Sequence, residues 1–110
     1  MKLPNADRAV VGIEKIRDYC LSSNHPRGRH KARVFATALG ITADDAEELR
    51  QAILSAISTE DATPTEHDEY GQRFIVDFVM VRQDRQADIR TSWIVRSGED
   101  YPRLTSCYVL

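Results

Sequence analysis

The chain has 110 residues, of which 42% are hydrophobic and 29% are charged, and its formal net charge at pH 7 is −2. This composition excludes a disordered chain, and the length predicts one domain, residues 1–110, that buries roughly 65% of its unfolded surface. Because no apolar run reaches the ~18 residues of a membrane span or forms a signal peptide, we expect a cytoplasmic bacterial protein with no membrane partner.

The first part of the chain is predicted to form three amphipathic helices. Apolar residues recur at helical spacing within residues 12–21 and again within residues 29–39, and Gly40 is placed to end the second helix. A Thr-x-x-Asp capping box at residues 42–45 precedes an apolar stripe over residues 46–57, which predicts the third helix.

The second part is predicted to form an antiparallel sheet. The acidic stretch of residues 58–69 is typical of an exposed loop, and the alternating segments that follow it, residues 73–82, 87–96 and 102–110, predict three strands. Residues 9–11 could add a fourth strand. The predicted fold is therefore α+β, with three helices followed by a three- to four-stranded antiparallel sheet.

The two cysteines and three histidines do not form a metal signature. Cys20 and Cys107 lack a CxxC spacing, so we predict that both are buried free thiols. No HExxH, paired histidine or carboxylate cluster accompanies the histidines. The sequence therefore predicts neither a metal site nor another cofactor.

Charge is distributed unevenly along the chain. The net charge is +5 over residues 1–41, −8 over residues 42–69 and +1 over residues 70–110. A basic patch and an acidic helix and loop are therefore expected in the same molecule. This pattern favours local binding of an anion over broad tracking along a nucleic-acid backbone.

The most informative stretch is residues 25–33, which holds two histidines, four Lys or Arg residues and no acid. It spans the start of the second predicted helix, where cations oppose the helix dipole and free amide groups favour anions. We therefore predict that Arg27, Gly28 and Arg29 bind a phosphate or carboxylate. The alternative is a solvated basic turn next to the acidic loop.

Lys31 falls inside the apolar arc of its helix and should face inward. Its ammonium could either extend harmlessly along apolar surface or lie in a cleft where transition-state charge develops. His30, on the flank of the helix, and His25, in the preceding loop, are candidates for proton transfer. Each could equally be a solvated or capping histidine.

A second group of candidate residues lies in the predicted sheet. Arg103 and Thr105 alternate onto one face of the last strand, where they could meet the basic helix start across a groove. Thr91 and Trp93 share a face of the preceding strand and could also be ordinary core residues. Asp77, between apolar neighbours, is expected to pair with a nearby arginine rather than act as a base.

Several of these residues together resemble a known family. The resemblance rests on residues 19–21, 25–35, 39–40, 93–94 and 102–105. They are similar to an uncharacterised bacterial domain family that occurs in free-standing proteins and as carboxyl-terminal modules of large polymorphic toxins. The family pattern assigns importance to Lys31, Arg103 and Thr105, and does not require a histidine at His30.

At the level of the fold, the order of helices followed by an antiparallel sheet is similar to the barnase, EndoU, colicin and RelE-like ribonucleases. This similarity implies a metal-independent, toxin-related nuclease that acts on RNA. A histidine would transfer protons, Lys31 and Arg103 would stabilise the charged phosphorane, and Thr105 would orient a phosphate oxygen.

The alternative hypothesis is a non-catalytic module that binds a small protein partner in a two-protein system. It rests on the acidic residues between Asp44 and Glu69 and on the apolar character of both faces of residues 73–82. The sequence does not predict an oligomeric state.

Overall fold

A computed structural model describes residues 1–110 and shows helices followed by one antiparallel sheet, which confirms the predicted α+β class. Helix α1 begins as a single α-helical turn, Ile13–Lys15, and continues as a π-helical turn, Ile16–Cys20. Helix α2 is Arg29–Leu39, and helix α3 is Ala46–Ile57. None of these helices combines the length and the apolar composition needed to cross a membrane.

The predicted signals that separate α2 from α3 are present. Gly40 ends α2 with a φ of 67°, a left-handed conformation that glycine adopts without steric cost. The capping box is also formed, because the backbone N–H of Thr42 donates to Oδ2 of Asp45 at 2.9 Å. The chain therefore reverses direction within a few residues and packs α2 and α3 onto the same core.

The sheet is a four-stranded meander with strands in the order β1-β2-β3-β4. The strands are β1, Ala62–Asp68; β2, Gly71–Arg82; β3, Arg85–Arg96; and β4, Arg103–Val109. The turn between β2 and β3 is only two residues long, and Gln83 adopts a positive φ of 58° there.

Two predictions about this sheet are wrong. Residues 58–69 are not a loop, because residues 62–68 form the edge strand β1, in which only Ala62 is buried. A strand exposed on both faces has no apolar alternation to reveal it. Residues 9–11 do not form the fourth strand, because Val10 makes only an isolated parallel bridge with Arg103.

The helices and one face of the sheet enclose a core of 21 buried apolar residues. Cys20 and Cys107 both belong to it as free thiols, as predicted. At its centre, the fully buried Trp93 donates a hydrogen bond from Nε1 to the hydroxyl of Thr91 at 2.7 Å. That hydroxyl in turn donates to the carbonyl of Val76 at 2.7 Å. Thr91 is therefore a core residue that satisfies buried polar groups.

We expect Thr91→Val to destabilise the fold by about 2 kcal/mol. The valine would leave the indole N–H of Trp93 without an acceptor, and a buried unsatisfied donor costs about 1–3 kcal/mol. Chemical unfolding of the two proteins measures the difference. Thr63→Val on the exposed strand β1 is the matched control and should change stability by less than about 0.5 kcal/mol. Equal losses in both variants would contradict the prediction.

Candidate functional site

The loop before α2 is held by the side chain of His25. Its Nδ1 atom accepts hydrogen bonds from the backbone N–H groups of Arg27 and Gly28, each at 3.1 Å. Its ring meets the ring of Tyr19 edge-on, with the two centroids 4.6 Å apart. An imidazole nitrogen accepts a hydrogen bond only when it carries no proton, so the proton of neutral His25 lies on Nε2. The structure therefore places His25 as a cap before α2.

Gly28 brings the start of α2 into close contact with the end of α1. The residue is buried, and a Cβ atom at this position would overlap the backbone carbonyl oxygen of Tyr19. Its φ of −93° is one that other residues also adopt. The close approach, rather than backbone freedom, therefore explains the glycine.

Positive charge at the start of α2 is not compensated by carboxylates. Eight of the 15 Lys and Arg side chains form ion pairs. The four basic residues in positions 27 to 33 form none: Arg27, Arg29, Lys31 and Arg33. The backbone N–H groups of His30 and Lys31 also have no acceptor. The positive end of the helix dipole is therefore open to an anion.

These basic side chains leave α2 in different directions. Arg29 and Arg33 line a groove of about 430 Å³ between α2 and the segment that follows Gly40. Lys31 is half-buried and extends to the edge of the sheet, where its Nζ lies 4.7 Å from the centre of the Tyr108 ring. The attraction between an ammonium and an aromatic face holds Lys31 against β4.

Tyr108 belongs to a line of polar residues on the face of the sheet opposite the core. Asp77 on β2 is paired with Arg90 on β3, which is paired with Tyr108 on β4. Two hydrogen bonds of 2.9 Å join the guanidinium of Arg90 to both carboxylate oxygens of Asp77, which confirms the predicted pairing of Asp77 with an arginine. We call Asp77, Arg90, Tyr108 and Lys31 the polar row.

The charges of the polar row differ in how they are compensated. The hydrogen bonds that Arg90 donates to Asp77 raise the pKa of the Arg90 guanidinium, and the phenol of Tyr108 adds to this shift. Arg90 is thus a fixed cation with a bound carboxylate. Lys31 has no carboxylate partner, so its ammonium supplies uncompensated positive charge at one end of the row.

Arg103 shares this face of the sheet but lies away from Lys31. It is paired with Ile94, whereas Tyr108 is paired with Arg90. Four residues of an extended strand separate those two positions on β3, a distance of about 13 Å. The structure therefore does not bring Arg103 to the same point as Lys31, and Thr105 lies between them at the bulge of β4.

The guanidinium of Arg103 is bound by its own carboxylate. Its Nε and Nη2 atoms donate to the two oxygens of Glu99, each at 3.0 Å, and Nη2 also donates to the Tyr101 hydroxyl at 2.8 Å. Together with the hydrogen bond from Tyr101, this arrangement lowers the pKa of Glu99 to about 2. The charge of Arg103 is consequently already neutralised by a carboxylate.

Two members of the polar row, Arg90 and Tyr108, were missed at the level of the sequence. Alternation along β3 and β4 does predict that each points away from the core. Only the register of the strands shows that they stand side by side with Asp77. The contact with Lys31 depends in turn on how α2 packs against β4.

A family model matches residues 2–110, almost the whole chain. The chain belongs to the family described as the domain of unknown function DUF6883. This match confirms the predicted membership of an uncharacterised domain family. No curated protein and no solved structure matches the chain.

The DUF6883 domain also offers no cluster of ligands for a metal ion, since no group of three or more His, Cys, Asp or Glu side chains lies close enough to hold one. Its candidate site instead combines two fixed cations, one carboxylate and one phenol on an exposed sheet face. Such groups can bind a phosphate and transfer protons.

We expect the DUF6883 domain to lose stability as the pH falls from about 5 towards 2 because of Glu99. The pKa of Glu99 is about 2 in the folded protein and 4.5 for an ordinary glutamate. A lowered folded-state pKa stabilises the fold above pH 4.5, and that contribution disappears as the carboxylate is protonated. Unfolding curves for the wild type and Glu99→Gln should therefore converge at low pH. A constant difference between them from pH 7 to pH 2 would contradict this assignment.

Proposed function

We propose that this domain is a toxin-related, metal-independent ribonuclease that cleaves RNA at the polar row. The observation that carries the proposal is the position of Lys31, an uncompensated cation held against Tyr108, which is paired with Arg90 on the neighbouring strand. A phosphodiester placed over Tyr108 would reach the ammonium and the guanidinium together. The open N–H groups at the start of α2 add to the attraction for phosphate.

The chemistry that suits these groups uses the 2'-hydroxyl of RNA as an internal nucleophile. The imidazole of His30 accepts the proton of this hydroxyl as its oxygen attacks phosphorus, and the bond from phosphorus to the 5'-oxygen breaks. His30, exposed next to Lys31, then donates this proton to the departing 5'-oxygen. Lys31 and Arg90 stabilise the additional negative charge of the phosphorane. The products are a 2',3'-cyclic phosphate and a 5'-hydroxyl.

The remaining candidates take supporting roles in this proposal. His25 positions the start of α2, because its Nδ1 is already occupied by two backbone N–H groups. Arg103, about 13 Å along the sheet and bound by Glu99, holds the start of β4 rather than the phosphate at the polar row, and Thr105 lies between the two positions. Arg27 and Arg29 attract the substrate through their uncompensated charge.

The test is cleavage of a labelled single-stranded RNA by the purified domain in EDTA. We expect fragments that end in a 2',3'-cyclic phosphate, and no cleavage of the same sequence made as DNA, which lacks the nucleophile. Expression of the wild type, but not of Lys31→Ala, should also arrest bacterial growth. A folded wild-type protein that cleaves no RNA and is harmless on expression would overturn the proposal.

A further inference from the structure

Strand β2 has an edge that is only half covered. Strand β1 pairs with residues 71–76 of β2, and its pairing ends where Ala62 meets Val76. Beyond that point, residues 77–82 are bonded to β3 on one side and to no strand on the other. Every second residue of this segment therefore presents an unpaired N–H and C=O, as at any strand edge. We call residues 77–82 the open edge.

Apolar surface and space accompany these free backbone groups. Val79 and Val81 point away from the core and are 54% and 65% exposed. A groove of about 430 Å³ separates the open edge from Ala52 and Ala56 of α3. A second hollow of about 320 Å³ lies at the start of the open edge, between Val79 and Leu110. An extended chain would fit beside β2, in line with β1.

The charges around the open edge are acidic. Glu60 lines both hollows and Asp88 lines one of them, and neither side chain forms an ion pair. Two adjacent cations are already neutralised, since Arg82 pairs with Glu48 and Asp45 and Arg90 pairs with Asp77. A third, Arg85, has no carboxylate partner but lies opposite Arg82, at the end of the open edge farthest from Asp77.

These charges distinguish between two possible binding partners of the open edge: a second copy of the chain and a different, basic protein. A second copy of the chain, paired through the same edge, would add its own free Glu60 and Asp88 to a surface that already carries these two uncompensated carboxylates. Like charges placed close together disfavour that assembly. A strand that alternates apolar residues with Lys or Arg would cover the valines and neutralise the carboxylates at once.

We propose that the open edge docks a basic β-strand of a partner protein, which extends the sheet in line with β1. The strand would be five or six residues long, matching residues 77–82, and its backbone would bond to the free groups of β2. This inference does not depend on the ribonuclease proposal. It specifies the surface and the chemistry of the small protein partner that the alternative hypothesis requires.

The test uses synthetic peptides with the purified full chain. A blocked hexapeptide of alternating lysine and valine should bind, and hydrogen exchange should show increased protection of amides within residues 77–82. The same peptide with N-methyl groups on the alternate residues that face β2 should bind at least 10-fold more weakly, because those residues can no longer donate backbone hydrogen bonds to the open edge. A peptide with glutamate in place of lysine should not bind.

Charge-reversal variants separate specific docking from general attraction. Glu60→Lys combined with Asp88→Lys should weaken binding of the basic peptide at least 10-fold. Asp7→Lys combined with Glu69→Lys changes the net charge equally at exposed residues away from the open edge, and should leave binding unchanged.

Three results would overturn the docking proposal: equal binding by the N-methylated peptide, equal loss in both double variants, or a wild-type dimer in sedimentation that dissociates on Val81→Lys. The three peptides are compared on the wild-type protein, so this part of the test does not depend on whether the variants fold. Lys31→Ala distinguishes the two proposals, because it should lose RNA cleavage and still bind the basic peptide normally. Ribonuclease activity and strand docking can therefore fail independently.

Discussion

Lys31→Ala should lower kcat for RNA cleavage about 10²–10³-fold, which is the usual effect of removing one group that stabilises transition-state charge. Lys31 supplies the uncompensated charge of the polar row, so no neighbouring cation can replace it without losing a carboxylate partner. The stability of the variant should fall by only about 0.5 kcal/mol, because the lysine forms no ion pair and loses only its contact with the Tyr108 ring. The decrease should therefore appear in kcat for a protein that unfolds at nearly the same temperature.

Two further variants show whether position or charge alone is responsible. Lys31→Arg keeps a cation near Tyr108 and should retain more activity than Lys31→Ala. Lys15→Ala removes another basic side chain without an ion pair, and this one lies near Tyr19 rather than the polar row. It should leave kcat unchanged. Similar losses in Lys15→Ala and Lys31→Ala would indicate a general effect of charge and would remove Lys31 from the mechanism.

Gly28→Ala should destabilise the protein by about 3 kcal/mol. The added methyl group would overlap the carbonyl oxygen of Tyr19, which is backbone and cannot rotate away. Overpacking of this kind typically costs about 1–3 kcal/mol, and we expect the upper end because α1 and α2 must separate. The separation would also displace the His25 cap and the first turn of α2. Chemical unfolding measures the loss of stability.

Gly12→Ala is the matched control for this substitution. At Gly12 the backbone has a φ of −67°, and a new Cβ would meet only the flexible end of the Glu14 side chain. Alanine should therefore be neutral or slightly stabilising there. If Gly28→Ala were as well tolerated as Gly12→Ala, the close packing of α1 against α2 would be incorrect.

The elements that were predicted correctly are those whose signals lie within a single segment. Helices α2 and α3 have an apolar stripe, and Gly40 and the Thr42–Asp45 capping box mark the boundary between them. Strands β2 and β3 alternate because one face of each is buried. Strand β1 was not predicted because nearly all of its side chains are exposed. Backbone hydrogen bonds hold it in the sheet, and these do not require an alternating apolar sequence.

The candidate site was only partly predictable for a related reason. The basic run at the start of α2 and the inward direction of Lys31 follow from local sequence. The meeting of Lys31 with Tyr108, and of Arg90 with Asp77, depends on contacts between residues far apart in the chain. The expected meeting of Lys31 with Arg103 is wrong because Lys31 contacts Tyr108, and three pairs of residues along β3 and β4 separate Tyr108 from Arg103.

The burial of Trp93 gives the protein an internal optical reporter. It is the only tryptophan in the chain, it is fully buried, and its indole N–H donates to Thr91. Unfolding transfers this single fluorophore from an apolar core to water, so its emission should shift to longer wavelength in one step. The emission maximum can therefore follow unfolding of the wild type and of variants at Gly28, Lys31 or Glu99 without any added dye.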